Sequence, residues 1–342
     1  MSNSLPLVSI ITPSYNQAAY LEHTVRSVLT QDYPHVEYIV VDGGSSDGSV
    51  EILRAYEKYL AWWISEPDQG QSQAINKGLS RARGEIVAWL NSDDLYLPGV
   101  ISAVVEAFQS HPEASMVFGN AISIDKDGNP FNEQVFGDRG LDDFMAFKII
   151  CQPAVFMRHG SLEQAGLLDE SYHYLLDHHL WLRIAMLESP VYLPQPLACA
   201  RYHSQAKNIA QAAGFGNEAY RILEWMQNQS QLAEQLNQHR RRILAGAHRF
   251  NARYLLDGGM ILKALIYYFR ALGLHPATAL EEWRRILFAL FSLVGMGWMG
   301  KAYARRRRTE FAAYFKSKGI GNVHELINNQ QILGPVEDHE RT

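Results

Sequence analysis

Between Leu7 and Leu90 strand-like apolar runs alternate with helical stretches, and this alternation restricts the chain to folds built on parallel strands with crossover helices. Leu7-Val8-Ser9-Ile10-Ile11-Thr12 reads as a β-branched strand that Pro13 stops. Tyr20 to Thr30 carries Leu21, Val25, Val28 and Leu29 at helical spacing, the stripe of an amphipathic helix. A second strand, Glu37 to Val41, runs into the turn-forming segment Asp42 to Ser49 and then a helix from Val50 to Tyr59. Ala61 to Ile64, a helix over Gln71 to Ala82, and a strand ending at Leu90 complete the series. Sheets of this kind place ligands at the carboxyl ends of their strands. Thr12, Asp42, Glu66 to Asp68, and Asp93 with Asp94 all fall there.

Two adjacent acids at such a place raise each other's pKa and resist ionisation. A hard divalent cation carrying phosphate oxygens resolves that conflict. Other functions are disfavoured by bulk properties: a net charge of -5 offers no global basic face for nucleic acid. Cys151 and Cys199 lack metal-ligand spacing and read as two thiols in a reducing compartment. Met1 to Pro6 lacks a basic stretch followed by an apolar one, so no export signal is expected and the location predicted is cytoplasmic.

Four ordered motifs carry a family resemblance: Thr12-Pro13-Ser14-Tyr15-Asn16; Val41-Asp42-Gly43-Gly44-Ser45-Ser46-Asp47-Gly48; Ser65-Glu66-Pro67-Asp68-Gln69-Gly70; and Asn91-Ser92-Asp93-Asp94. Together they resemble the glycosyltransferases of family 2, bacterial enzymes of O-antigen, capsule and exopolysaccharide assembly. The resemblance implies an α/β GT-A fold, a Rossmann-like, mostly parallel sheet flanked by helices, over residues 1–210. It implies a nucleotide-diphosphate sugar as donor, with the Thr12, Pro13 and Tyr15 loop touching the base and Asp68 meeting the base or ribose. Asp42 can accept from an imide N–H, which favours uracil, although guanine and thymine present N–H donors too. Asp47 reads instead as a helix cap.

By the same resemblance the acids of the fourth motif bind Mn2+ or Mg2+. The usual Asp-x-Asp spacing is broken here by Asn91 and Ser92, which leaves Asp94 as the direct ligand and Asp93 as a second ligand or a ribose contact. Two acids capping a helix near Pro98 is the structural alternative. Ile149 to Phe156 resembles the segment that brings the acceptor to the donor, and Asp177, opening a helix, matches the family's catalytic base. An inverting transfer needs one such carboxylate to take the acceptor proton. Arg201-Tyr202-His203 resembles a late element in which Arg201 meets the diphosphate and His203 ligates the metal, the alternative being an ordinary satisfied histidine. His178 and His179 have the wrong spacing to share a helix face.

From residue 211 the pattern becomes all-helical, with one hairpin of tetratricopeptide type over 252–276. Its apolar stretch Ile286 to Gly300 is shorter than the roughly 20 residues a spanning helix needs. Flanked by Trp283, Arg284, Arg285 and Arg305 to Arg308, it is expected to hold the enzyme on the anionic inner membrane surface, near a glycan or lipid-linked acceptor. A nucleotidyltransferase would need a basic glycine-rich loop after the first strand, and none follows Thr12. A non-catalytic glycan- or partner-binding scaffold is the alternative from outside the enzymes.

Overall fold

The structure, a computed structural model, describes residues 5–203 and 212–332. Residues 1–4 and the expected domain boundary at 210 and 211 therefore lie outside the described residues. The alternation read from sequence is present as β1 (Val8–Ser14), α1 (Ala18–Leu29), β2 (Val36–Asp42), α2 (Ser49–Tyr56), β3 (Trp62–Ser65), α3 (Gln71–Leu79) and β4 (Ile86–Trp89). β1 pairs in parallel with β2 and β4, and β2 with β3. Pro13 does not stop the first strand, which continues to Ser14. β4 last pairs with β1 at Ile11, so the missing proline N–H falls where that neighbour has already left.

Next come β5 (Leu95–Tyr96), α4 (Val100–Ser110), β6 (Met116–Ile124), β7 (Pro130–Gln134), α5 (Leu141–Met145), β8 (Val155–Arg158), α6 (His159–Ala165), α7 (Leu176–Ala185) and β9 (Val191–Arg201). The sheet order is β3-β2-β1-β4-β8-β6-β9-β5, with β7 on the edge of β6. β8 is antiparallel to both β4 and β6, so the sheet is parallel on one side and mixed on the other. β7 and β8 are both antiparallel to β6 and so run the same way, the chain returning between them through α5.

Helices alone follow residue 211: α8 (Ala212–Gln227), α9 (Ala233–Asp257), α10 (Ile261–Leu274), α11 (Pro276–Leu280), α12 (Trp283–Leu293), α13 (Gly297–Ser317) and α14 (Val323–Asn328). Side chains alternate along each strand and fill two cores, one on either face of the sheet. Ile11, Ile39, Val87 and Trp89 face one way, where Trp89 stacks on Trp181 of α7 at 5.1 Å. Phe215, Ile222 and Met226 of α8, and Ile243, Ala247 and Phe250 of α9, belong to that same apolar cluster. The first helices beyond residue 211 thus complete the core of the sheet domain. Val8, Ile10, Val40, Ala88 and Leu90 face the other way, against α1 and α4. Val323 and Ile327 of α14 return to join them.

The apolar stretch expected to form one interfacial helix is broken by Gly295, which adopts φ +76 between α12 and α13. Leu287, Leu290, Phe291, Leu293 and Trp298 around this break are exposed. Of the arginine run, Arg308 lies over the Phe131 ring and Arg306 pairs with Glu310. No described helix is long and apolar enough to cross a membrane.

Candidate active site at the strand ends

The loops after β1, β2 and β3 are stitched into one surface by short polar side chains. Asn16, held at φ +51, accepts from Ser46 N through its side chain while its own N–H donates to Ser45 Oγ. Asp47 accepts from Ser49 N and from Ala18 N; the N-cap position of α2 is Gly48, and Asp47, one residue before it, ties the start of α2 to the start of α1. Asp42 is buried, and its carboxylate accepts from Gly44 N, Ser45 N, Ser45 Oγ and Ser65 Oγ. Three of those four bonds go to Oδ2, which leaves Oδ1 with spare accepting capacity.

Beside it, Gly43 supplies room rather than chemistry. A Cβ there would lie 2.6 Å from Asp68 Oδ2 and 3.3 Å from the Tyr15 ring. Asp68, fixed by accepting from Gly70 N at 2.8 Å, therefore leans over the bare backbone of Gly43 next to Tyr15, which is 62% exposed. An aromatic face beside a carboxylate is what a flat heterocycle with N–H groups requires. Thr12 and Pro13, expected at the base, are instead buried, and Thr12 Oγ1 lies 3.0 Å from Tyr38 Oη inside the sheet. They hold the loop; of the first motif Tyr15 and Asn16 emerge, and the Asn16 side chain is taken up by Ser46 N.

At the end of β4 the two acids part company. Asp94 is buried, with Oδ1 accepting from Arg201 N and Oδ2 from Asn91 Nδ2. Burial first, and the Asp93 charge second, push its carboxyl well above the usual range, toward the neutral form. Each of its oxygens carries one hydrogen bond, and a cation beside it would favour the ionised form. Asp93 is the more accessible acid, and its Oδ2 accepts from His203 Nε2 at 2.9 Å.

Arg201 binds the backbone rather than standing free. Its Nε donates to Asp93 O, one terminal nitrogen to Asp125 O and Lys126 O, and the other to His324 Nε2. Its guanidinium also covers the Tyr20 ring at 4.7 Å. Through these bonds Arg201 holds the Asp93 segment, the β6 to β7 turn and α14 together. Asn91 joins this region to the acceptor side, donating to Gln152 Oε1 and accepting from Gln71 Nε2. Gln152 in turn donates to Trp89 O.

Asp177 lies in the first turn of α7, half-buried, and its Oδ1 accepts from His178 N. Burial raises its carboxyl to about 6, partly opposed by that backbone N–H. Cys151 lies within electrostatic reach of both Asp94 and Asp177, and burial with those two charges keeps its thiol protonated. The site therefore has two acidic banks with Cys151 and Gln152 between them. His178 Nε2–H donates to Phe144 O, and His179 packs between Tyr172 and Trp225, so both are taken up by the interior. Sequence reasoning singled out neither Asn91 and Gln152 as links nor His324 as a partner of Arg201. Only the first two had a local signal, as polar residues inside recognised motifs.

The family model for Glycosyl transferase family 2 matches residues 9–163. A putative teichuronic acid biosynthesis glycosyltransferase, TuaG of Bacillus subtilis, is 39% identical over 155 residues, which is 44% of this chain and 61% of that protein. An uncharacterised glycosyltransferase of Mycobacterium tuberculosis is 33% identical over 195 residues, 55% of this chain and 72% of that protein. Among solved structures, S. aureus TarS 1–349 in complex with UDP-GlcNAc superposes with a TM-score of 0.55 at 18% identity, covering 82% of this chain and 92% of the other. The mannosyltransferase PcManGT from Pyrobaculum calidifontis, in complex with GDP-Man and Mn2+, gives 0.56 at 20% identity over 87% and 89%.

Proposed function

The chain belongs to glycosyl transferase family 2 and has its GT-A fold, and from that premise we propose that it moves a sugar from a nucleotide-diphosphate donor to a hydroxyl, with inversion. The observation that carries the reading is Asp177: a half-buried carboxylate at a helix start, raised to about 6, is a base matched to neutral pH. It takes the acceptor hydroxyl proton as that oxygen attacks the anomeric carbon opposite the diphosphate. No second carboxylate nucleophile is needed, unlike a retaining glycosidase.

Tyr15, Asp68 and the Oδ1 side of Asp42 receive the nucleoside, with uracil the preferred base. We assign Mn2+ or Mg2+ to the end of β4, where Asp93 and His203 would hold it once their mutual contact opens, with Asp94 behind them bonded to Arg201 N and Asn91. These side chains would be the protein's share of the ligands, beside the donor's own oxygens. The cation supplies neutralisation of the charge that builds on the departing nucleoside diphosphate. Asp94 and Arg201 hold the pair in place.

The acceptor is a glycan or lipid-linked saccharide of the cell surface, a reading supported by the likeness to TuaG. The exposed Leu287, Phe291 and Trp298, next to Arg284 and Arg305, would rest on the anionic inner leaflet and keep the enzyme peripheral to the cytoplasmic membrane. A binding screen of UDP, GDP and dTDP sugars with and without Mn2+ identifies the donor. Proton NMR of the product then tests the mechanism: an anomeric configuration opposite to the donor's is expected, and retention overturns it.

A further inference from the structure

Glu218 of α8 is buried, and its carboxylate accepts three consecutive backbone N–H groups. His173 N lies 2.7 Å from one oxygen, and Tyr174 N and Leu175 N lie 2.8 and 2.7 Å from the other. These residues form the turn that delivers the chain into α7, two positions before Asp177. The rest of the same face of α8 grips the same turn. Gly214 leaves space for the Tyr174 ring, where a Cβ would come within 2.3 Å of Cε2. Phe215 packs on Tyr174 at 5.0 Å. Arg221 donates to Ser171 O and lies over the Tyr172 ring at 4.1 Å. Residues 214, 215, 218 and 221 are one helical stripe, so a single helix face holds the whole of 171–175.

A buried carboxylate is retained where its hydrogen bonds are complete, and three charge-assisted bonds to one turn make that turn rigid. Its charge also lies close enough to act on Asp177. We propose that Glu218 is a positioning residue for the catalytic base: through its three bonds to His173, Tyr174 and Leu175 it fixes the turn that aims Asp177 and sets a carboxylate beside it. This rests on reading Asp177 as the base.

The groups facing Asp177 are Glu218 from α8, Tyr254 from α9, Cys151 from the segment before Gln152, and the neutral ring of His178 on its own helix. Burial keeps the Tyr254 hydroxyl and the Cys151 thiol protonated, so among these Glu218 is the one that adds negative charge. Removing it acts on Asp177 in one direction only.

The test uses the full chain with 13C-labelled aspartate, the Asp177 signal being identified by its loss in Asp177→Asn. In the native protein the carboxyl midpoint is expected near 6. In Glu218→Gln it should move to lower pH, and the amides of His173, Tyr174 and Leu175 should exchange on the order of 10- to 100-fold faster. An unmoved midpoint with faster exchange would show a merely structural clamp, and unchanged exchange would show no clamp; either overturns the proposal. Should Glu218→Gln fail to fold, Glu218→Asp keeps the charge on a shorter arm. Its midpoint should stay near the native one while exchange quickens, and a midpoint falling to the ordinary carboxylate value would overturn the proposal. Transfer surviving in Asp177→Asn would sink the base reading alone, leaving the Glu218 titration result intact.

Discussion

Asp93 Oδ2 and His203 Nε2 meet at 2.9 Å although 110 residues separate them, which joins the end of β4 to the end of β9. Asp94, next in sequence to Asp93, turns the other way into bonds with Arg201 N and Asn91. The two acids therefore predict opposite results on substitution. Asp93→Asn and His203→Ala should each weaken Mn2+-dependent UDP binding at least tenfold, whereas Asp94→Asn, turned inward to Arg201 N and Asn91, should change it only a few-fold. Calorimetric titration of Mn2+ in the presence of UDP separates them; a larger loss for Asp94→Asn would return the metal to Asp94.

A base raised to about 6 sets the acid side of the activity profile. Transfer should fall tenfold per unit as pH drops below that value, because the protonated carboxyl cannot accept. Asp177→Asn should lower kcat on the order of 100- to 10,000-fold with donor affinity nearly unchanged. Steady-state kinetics over about pH 4.5–8, chosen to bracket the base, measures both.

The same shift makes Asp177 a burden on the fold. Its folded value lies above the unfolded 3.8, so the native state binds the proton more tightly and stability falls as pH rises from about 4 to about 6. The full penalty, up to about 3 kcal/mol, is present above pH 6. Asp177→Asn should therefore raise Tm at pH 8 and leave it nearly unchanged at pH 4. Equal Tm values at both pH values would show that the buried charge carries no such penalty.

Gly43→Ala places a methyl 2.6 Å from Asp68 Oδ2, and Asp68 must swing off the Tyr15 shelf. UDP affinity should drop about tenfold, a loss of roughly one charge-assisted contact. The Tm should fall little, since Asp68 lies at the surface. Isothermal titration with UDP and a melting curve together decide it.

Replacing Leu287, Phe291 and Trp298 with glutamate removes exposed apolar area without touching the core. Cosedimentation with vesicles containing anionic lipid should be lost while donor binding stays intact. Unchanged sedimentation would place the contact elsewhere.

The parallel half of the fold was legible because each strand and helix between Leu7 and Leu90 declares itself within a dozen residues. The antiparallel half was not, since the pairing of β8 with β4 and β6 depends on loop paths rather than on local pattern. At the site, the Asp68 and Asp47 loops were readable from turn chemistry. Which of Asp93 and Asp94 points outward was not, because it is decided by Arg201 N, 107 residues away from Asp94. Thr12 misled for a similar reason: its position at a strand end was right, but its hydroxyl turns inward to Tyr38.

The contact between Arg201 and His324 spans 123 residues, and Asn322 next to it donates to Asp127 O in the β6 to β7 turn. His324 also stacks on His23 of α1 at 3.8 Å. On the ribosome, then, the β9 arginine emerges long before its last partner. The Tyr15 and Asp68 loops draw on neighbours within the first 70 residues, whereas the hold on the Asp93 segment is complete only once α14 has been made.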